Sequence, residues 1–361
     1  MSPTEARPIE QPRHSLAITF APNQDPDDWK ARFHAGETSS VWPYGLDLQN
    51  NRFAVQAAVR SRPSALDVGR LLARAVAVRP SRRSDASTNA VGYAFAWDEN
   101  LAIRSLLAHR GRRQISGLIW ATQEADSRVA AVKRALSKIA LRQVDGIFVS
   151  SSAQVESGRR WLGSTSIPIV FIPMAVNVDF FRPTPYPLEP FVFSMGNDKH
   201  RDPGLLAEAM ALVLEANPAA QILVQTNQPE LFPNGVQTVD RLSTDDVLRC
   251  YARASVVAIA TRPNDHVSGI TVALEAMAGG RPVVMSTAPG LADYIDDGVT
   301  GFLAPQGDAA AFAARVNALL ADPKLGDTMG TAARTRVEAD FSLEVMNAAI
   351  GEFVASIPLT R

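Results

Sequence analysis

The stretch Asp265–Val284 reads DHVSGITVALEAMAGGRPVV, in the order loop, helix, break, strand. TVALEAMA consists of good helix formers, Ser268 and Gly269 stand where the helix would begin, and Gly279–Gly280 end it before the apolar run RPVV. Another apolar run, SVVAIAT at Ser255–Thr261, lies just upstream. Strand, loop, helix and strand in that order form one unit of a parallel sheet covered by helices. The first N–H groups of such a helix have no partner within it, and its dipole is positive there. Gly269 permits close approach, so a diphosphate suits the position. Glu275, about two turns along, offers two carboxylate oxygens to the two hydroxyls of a vicinal diol such as ribose. An ordinary α/β helix with a solvated glutamate shows the same features, so both readings stand.

Outward from this unit the alternation continues in both directions. LAITF, FAVQAAV, AVGYAFA, ISGLIWA, DGIFVSS and IPIVFIP are short apolar runs in the first half, the later ones separated by helix-length segments. The clearest helix there, ADSRVAAVKRALSKIALRQV, places Val129, Val132, Leu136, Ile139 and Leu141 close to one face. MAVNVDFFRPTPYPLEP, from Met174 to Pro190, is rich in proline without helical period and reads as a linker. FVFSMG, QILVQT, SVVAIAT, RPVVMS and TGFLA are the strands of the second half. Asp202–Pro203 and Ser243–Asp246 open helices between them, PGLADYI reads as a short helix, and longer helices close the chain. The expected fold class is α/β: two Rossmann-like domains with parallel sheets facing a central cleft. The boundaries expected are a disordered leader at 1–15, an N-terminal domain at 16–176 and a C-terminal domain at 177–340. A final helix at 341–361 packs back on the N-terminal domain.

A chain of 361 residues, 46% of them hydrophobic, is long enough for two such cores. A net charge of -1 argues against binding nucleic acid by phosphate neutralisation. Cys250 is the single cysteine, so no internal disulfide and no cysteine-based zinc site can form, which suits a cytoplasmic chain. The N-terminus lacks the apolar core of a signal peptide, and no uninterrupted apolar run approaches the length of a membrane span. The loop APNQDPDDW after the first strand has no GxGxxG, which argues against a dinucleotide cofactor.

LEAMAGGRPVVMSTAPGLADYIDDGVTGFLAP, PMAVNVDFFRP, SMGNDKHRDPGLLAEA and LSTDDVLRCYARASVVAIAT together resemble the retaining GT-B glycosyltransferases, particularly family 4 (glycosyl transferases group 1). They cover most of Pro173–Pro305. In the first half the likeness lies in the layout and in DGIFVSSSAQVESGRRWLG. The resemblance implies transfer of a sugar from a nucleotide diphosphate sugar, of UDP or GDP type, to a hydroxyl acceptor, with no metal ion or further cofactor. The acceptor would be a glycan, a lipid-linked sugar or a small molecule. In the family's E-x7-E arrangement the second glutamate binds ribose and the first contacts the sugar. Glu275 matches the second, whereas Val267 stands at the first. His266, Ser268 and Gly269 are similar to a branch carrying a histidine and a small-Gly pair, so His266 is expected at the sugar or diphosphate. Ser268, Gly269, Ile270 and Thr271 form the helix start, with N–H groups of the first three toward the diphosphate. Gly196, Asn197, Lys199 and Arg201 form the loop that supplies cations. Arg201 is the best match to the family's lysine, and Asn197 replaces a frequent arginine.

The family commonly has a histidine in the N-terminal domain where this chain has Thr122, Gln123 and Glu124. Gln123 and Glu124, with Asp98 and Glu99 after the strand AVGYAFAW, are candidates for the acceptor side, or simply begin helices. WPYGL at Trp42–Leu46 either lines that side or forms an ordinary turn. Arg60, Arg62, Arg70, Arg74, Arg79, Arg82 and Arg83 surround VGRLLARAVAV. That basic segment suits peripheral contact with an anionic membrane and equally a solvated helix face. Two rivals remain: a nucleotide-sugar epimerase of the same fold, and a non-catalytic nucleotide-sugar-binding or partner subunit, which the loss of an acid at Val267 favours.

Overall fold

The computed structural model describes residues 14–46, 53–61, 92–163 and 166–359, with isolated positions between 64 and 73. The first sheet contains β1 (His14–Phe20), β2 (Phe53–Val59), β3 (Gly92–Ala96), β4 (Arg113–Gly117), β5 (Gly146–Val149) and β6 (Ile169–Phe171). Its strands pair in parallel in the order β2-β1-β3-β4-β5-β6. β3, β4 and β5 are buried along their whole length, and GYAFA and GIFV are accordingly continuous rather than alternating runs, whereas β4, RQISG, buries polar side chains on partners: Arg113 donates to Asp145 at 2.9 Å and Gln114 accepts from Ser105 Oγ at 2.8 Å. The second sheet holds β7 (Phe191–Ser194), β8 (Gln221–Gln225), β9 (Val236–Val239), β10 (Val256–Ile259), β11 (Val283–Ser286) and β12 (Gly301–Ala304). It is also parallel, ordered β12-β11-β10-β7-β8-β9. Strand order reverses between β7 and β10, and in such sheets the crevice beyond the carboxyl ends at the reversal receives ligands.

The helices continuous among the described residues include α1 (Pro26–His34), α2 (Glu99–Ala108), α3 (Arg128–Leu141), α4 (Ser152–Leu162), α5 (Pro203–Ala216), α6 (Thr244–Arg253), α7 (Ile270–Ala278), α8 (Ala309–Ala321), α9 (Pro323–Asp340) and α10 (Leu343–Ser356). Most start on side-chain caps that the sequence spells out. Asp202 accepts from Leu205 N–H at 3.1 Å ahead of Pro203, and Ser243 accepts from Asp246 N–H at 3.1 Å. α10 places Met346, Ile350, Phe353 and Val354 in the core of the first sheet, and Tyr93 Oη donates to Ile357 O at 3.0 Å. The two crossings between the domains run side by side, with Val176 N–H donating to Phe341 O at 2.9 Å.

Four features differ from the sequence expectations. β9 has no counterpart among the expected strands, because VQTV sits at the sheet edge and buries none of its residues fully. PGLADYI forms only a single 3-10 turn at Leu291–Asp293. On α3 the expected apolar face packs only in its C-terminal part: Leu141 is buried and Leu136 and Ile139 half-buried, beside Ser137 and Ala140, while Val129 and Val132 are exposed. The segment Met174–Pro190 is strapped to the C-terminal domain rather than hanging between domains. Val176 and Phe181 join its core, and the buried Arg281 guanidinium donates to Pro185 O at 3.0 Å. Residues 1–13 and most of the basic segment Arg60–Arg83 lie outside the described residues. Among the described residues no helix is long and apolar enough to cross a membrane.

Candidate active site

A cavity of about 440 Å³ opens between the domains. Its C-terminal wall carries Asp198, Arg201, His266–Val272 and Glu275. Its N-terminal wall carries Trp29, Tyr44, Trp97 and Trp120. The described non-glycine residues with positive φ are Tyr44 at 61° and Val267 at 49°, one on each wall. A β-branched side chain in that region is strained, and such strain persists only where the surroundings impose it. Val267 is imposed on from the inside, its side chain packed in the C-terminal core and 1% exposed.

The turn ahead of α7 is held tightly. Asn264 Oδ1 accepts from Ser268 N–H at 2.8 Å, Val267 O from Ile270 N–H at 3.0 Å, and Gly269 takes φ 87° as N-cap. Two of the three N–H groups expected to face a diphosphate, those of Ser268 and Ile270, are therefore engaged. Those of Gly269, Thr271 and Val272 have no acceptor among the described residues and remain for a ligand. Arg201 threads between two glycines. A Cβ at 269 would lie 2.7 Å from its Nη1, and one at Gly196 would also run into the guanidinium. Both glycines have positive φ, so the turn shape and the space for Arg201 depend on the same residues.

Arg201 Nε donates to Asp198 Oδ2 at 2.8 Å, and Ser268 Oγ donates to Asp198 Oδ1 at 2.7 Å. Burial alone would raise the Asp198 carboxyl. The Arg201 charge and the hydrogen bonds from Ser268 and His200 N–H outweigh it and hold the carboxyl below its usual range. Asp198 thus fixes the cation and the helix start relative to each other. Glu275 accepts from Tyr251 Oη at 2.8 Å, and burial pushes its carboxyl up to about 7 despite that bond and the Arg201 charge. Burial, then the neighbouring Glu275, raises the Tyr251 hydroxyl well above its usual value, so it remains a donor.

Residues 190–322 match the family model for glycosyl transferases group 1. D-inositol 3-phosphate glycosyltransferases are similar over part of the chain. That of Kribbella flavida is 35% identical, covering 36% of this chain and 35% of its own length. That of Segniliparus rotundus is 29% identical, covering 50% and 46%. The chain thus spans less than half the length of these relatives. Sucrose-phosphate synthase from Thermosynechococcus elongatus superposes over 95% of this chain and 98% of its own, with TM-score 0.67 and 19% identity. The fold is that of the GT-B glycosyltransferases. Anabaena HepE, solved with UDP and glucose, superposes on the same share of this GT-B chain and on 100% of its own, with TM-score 0.66 and 15% identity.

Within the GT-B cleft the remaining candidate residues take varied places. His266 is 4% exposed, with neither ring nitrogen partnered among the described residues, between Trp120 at 4.8 Å and His200 at 4.6 Å between ring centroids. Burial, then His200, lowers it to about 4, so it is neutral. Lys199 reaches across the cleft to Asp126 at 3.8 Å, an exposed pair of little energy. Asn197 Oδ1 accepts from Asn227 N–H at 3.2 Å and faces a second hollow of about 290 Å³ beside α5. Asp98 caps α2 through the N–H groups of Asn100 and Leu101. Glu99 is buried, pushed up to about 7 by burial and by Asp98, and accepts from Ile119 and Trp120 N–H at 3.0 Å each. Both acids hold backbone N–H groups, Asp98 at the start of α2 and Glu99 in the loop after β4. Gln123 donates to Asp265, and Glu124 is exposed at a shallow outer hollow. Asp198 and Tyr251 escaped the sequence reading. An Asp three residues before Arg201 was the available signal for the first; the second meets Glu275 from a different helix.

Proposed function

We propose that this chain transfers a sugar from a nucleotide diphosphate sugar to a hydroxyl acceptor, with retention and without a metal ion. The observation that carries the proposal is the convergence on one cleft of free helix-start N–H groups, the Arg201 guanidinium, whose side chain is 10% exposed, and Glu275. Gly269 and Thr271 N–H groups and the Arg201 Nη groups receive the diphosphate, Lys199 adds charge at the rim, and Glu275 accepts from the ribose hydroxyls. His266, neutral and unpartnered, contacts the sugar.

In the transfer the anomeric C–O bond to the β-phosphate breaks as the acceptor oxygen bonds the same carbon from the same face. The departing phosphate oxygen takes the acceptor proton. Charge grows on the diphosphate, where preorganised donors lower the barrier because they need no rearrangement. Supporting this reading are the family match over 190–322, relatives named as inositol phosphate glycosyltransferases, and a similarly folded protein solved with UDP and glucose.

A thermal-shift series with UDP, GDP and ADP tests it. A ligand at about 100 times its Kd stabilises by about 2.7 kcal/mol, a shift of several degrees. No shift with any of them removes the proposal. Incubating a bound nucleotide sugar without acceptor, followed by product analysis, separates it from the epimerase, which would return an epimerised donor.

A further inference from the structure

Asp265 lies immediately before His266 and the strained Val267, and the site described above gives it no task. Its partners all come from the other domain. Oδ1 accepts from Thr122 Oγ1 at 3.0 Å and from Gln123 Nε2, Oδ2 from Ser157 Oγ at 2.6 Å, and its backbone O from Ser151 Oγ at 2.7 Å. These donors belong to two separate N-terminal pieces, the loop after β4 and α4 with its cap Ser151. The first piece also packs Trp120 on His266, and the second sets the Ser151 Cβ against Gly290, at the start of the separate turn Leu291–Asp293.

The turn Asn264–Gly269 is thus anchored twice. Asn264 Oδ1 ties it to Ser268 within its own domain, and Asp265 ties it to the N-terminal domain. Val267, between the anchors, occupies a backbone region that a valine leaves when released. We infer that Asp265 is a positioning residue: an interdomain clasp that holds the donor turn in shape only while the cleft is closed. The donors to its carboxylate are neutral hydroxyls and an amide, and the described contacts give it no cationic partner. Opening exposes both sides and exchanges these bonds for bonds to water, so the clasp is reversible. The consequence for transfer rests on the nucleotide-sugar reading above. The clasp itself does not.

Amide hydrogen exchange on the full chain tests it with Asp265→Ala and, separately, with the N-terminal pair Thr122→Val and Ser157→Ala, which leaves Asp265 in place. In the unliganded protein both variants are expected to exchange at least tenfold faster at residues 262–270 and at 118–124, with β7, β8 and β11 unchanged. Combining the variants adds little, because both break one contact. Asp265→Asn, which keeps one acceptor oxygen, falls between. Calorimetry with UDP and GDP is expected to show the larger Kd change, at least threefold, in the wild type's Glu275→Ala control and a smaller one in the clasp variants. Unchanged exchange at 262–270 in the N-terminal pair overturns the clasp, as does strict additivity. If the wild type binds neither nucleotide, the functional proposal fails while the exchange result still decides the clasp. If Asp265→Ala does not fold, the N-terminal pair and Asp265→Asn carry the test.

Discussion

At Glu275 the protein has placed a carboxyl where it is costly to ionise, and burial has moved its proton affinity to about 7. Both oxygens can accept only after that proton leaves, so a ligand that donates two hydroxyls binds the carboxylate better. The sign follows: below about 7 the proton competes with the ribose, and above it the competition ends. Affinity for a nucleotide sugar, whose esterified diphosphate holds constant charge, is expected to be about tenfold weaker at pH 6 than at pH 8. His266, already neutral above about 4, does not contribute in that window. Calorimetry at both values checks this, and a flat profile removes Glu275 from the ribose. Glu275→Ala is expected to weaken binding by about 1–3 kcal/mol and to abolish the pH dependence. Glu275 and the helix start were legible because their spacing lies within one helix. Asp198 and Tyr251 were not, because the loop after β7 and α6 reach α7 only through the fold.

Among the elements, β3, β5, β7, β10 and β11, buried at every residue, were legible as short apolar runs; β4, which opens on the buried polar pair Arg113–Gln114, was expected two residues late as ISGLIWA, and the edge strand β9, half wet, left no run to read. α3 shows the limit of periodicity: its apolar residues are spaced for one face, yet the packed surface is chosen by the neighbouring α2, and Val129 and Val132 stay outside. Arg281 carries a similar lesson. In sequence it merely opens RPVV. In the fold its guanidinium, 1% exposed, donates to Tyr251 O at 2.9 Å and to Ala252 O at 2.8 Å as well as to the Pro185 strap, and it stacks near Tyr186. One planar fork thus ties α6 to the proline-rich segment. Arg281→Lys keeps the charge but has no fork, leaving several carbonyls short of a donor. Urea unfolding is expected to show a loss of about 2–4 kcal/mol, and a loss below about 0.5 kcal/mol would mean that water replaces the fork.

For the molecule as a whole, the question is how firmly the two sheets are joined, since the cleft uses residues from both. Apart from Asp265, and besides Thr244 Oγ1 donating to Glu37 O at 2.8 Å and Asn177 Nδ2 to Ser39 O at 2.7 Å, a group of contacts converges near Tyr294. Its hydroxyl donates to Ser150 O in the N-terminal domain at 2.5 Å and accepts from Met174 N–H at the crossing at 2.9 Å, while Asp293 beside it accepts from Ser152 N–H and Oγ. Burial raises the Tyr294 hydroxyl far above its usual range, so it stays protonated and donating at any working pH. Tyr294→Phe keeps the ring against Phe341 but leaves the part-buried Met174 N–H and the buried Ser150 C=O without their partner. Each stranded group costs about 1–3 kcal/mol, and the cost falls on the joint rather than on either core, because α10 closes the N-terminal core independently of Tyr294. Scanning calorimetry is therefore expected to show the variant's single transition broaden or split, with the earlier part belonging to domain separation. A variant that unfolds in one transition at the wild-type temperature would place the strength of the joint elsewhere, at the paired crossings Val176 and Phe341.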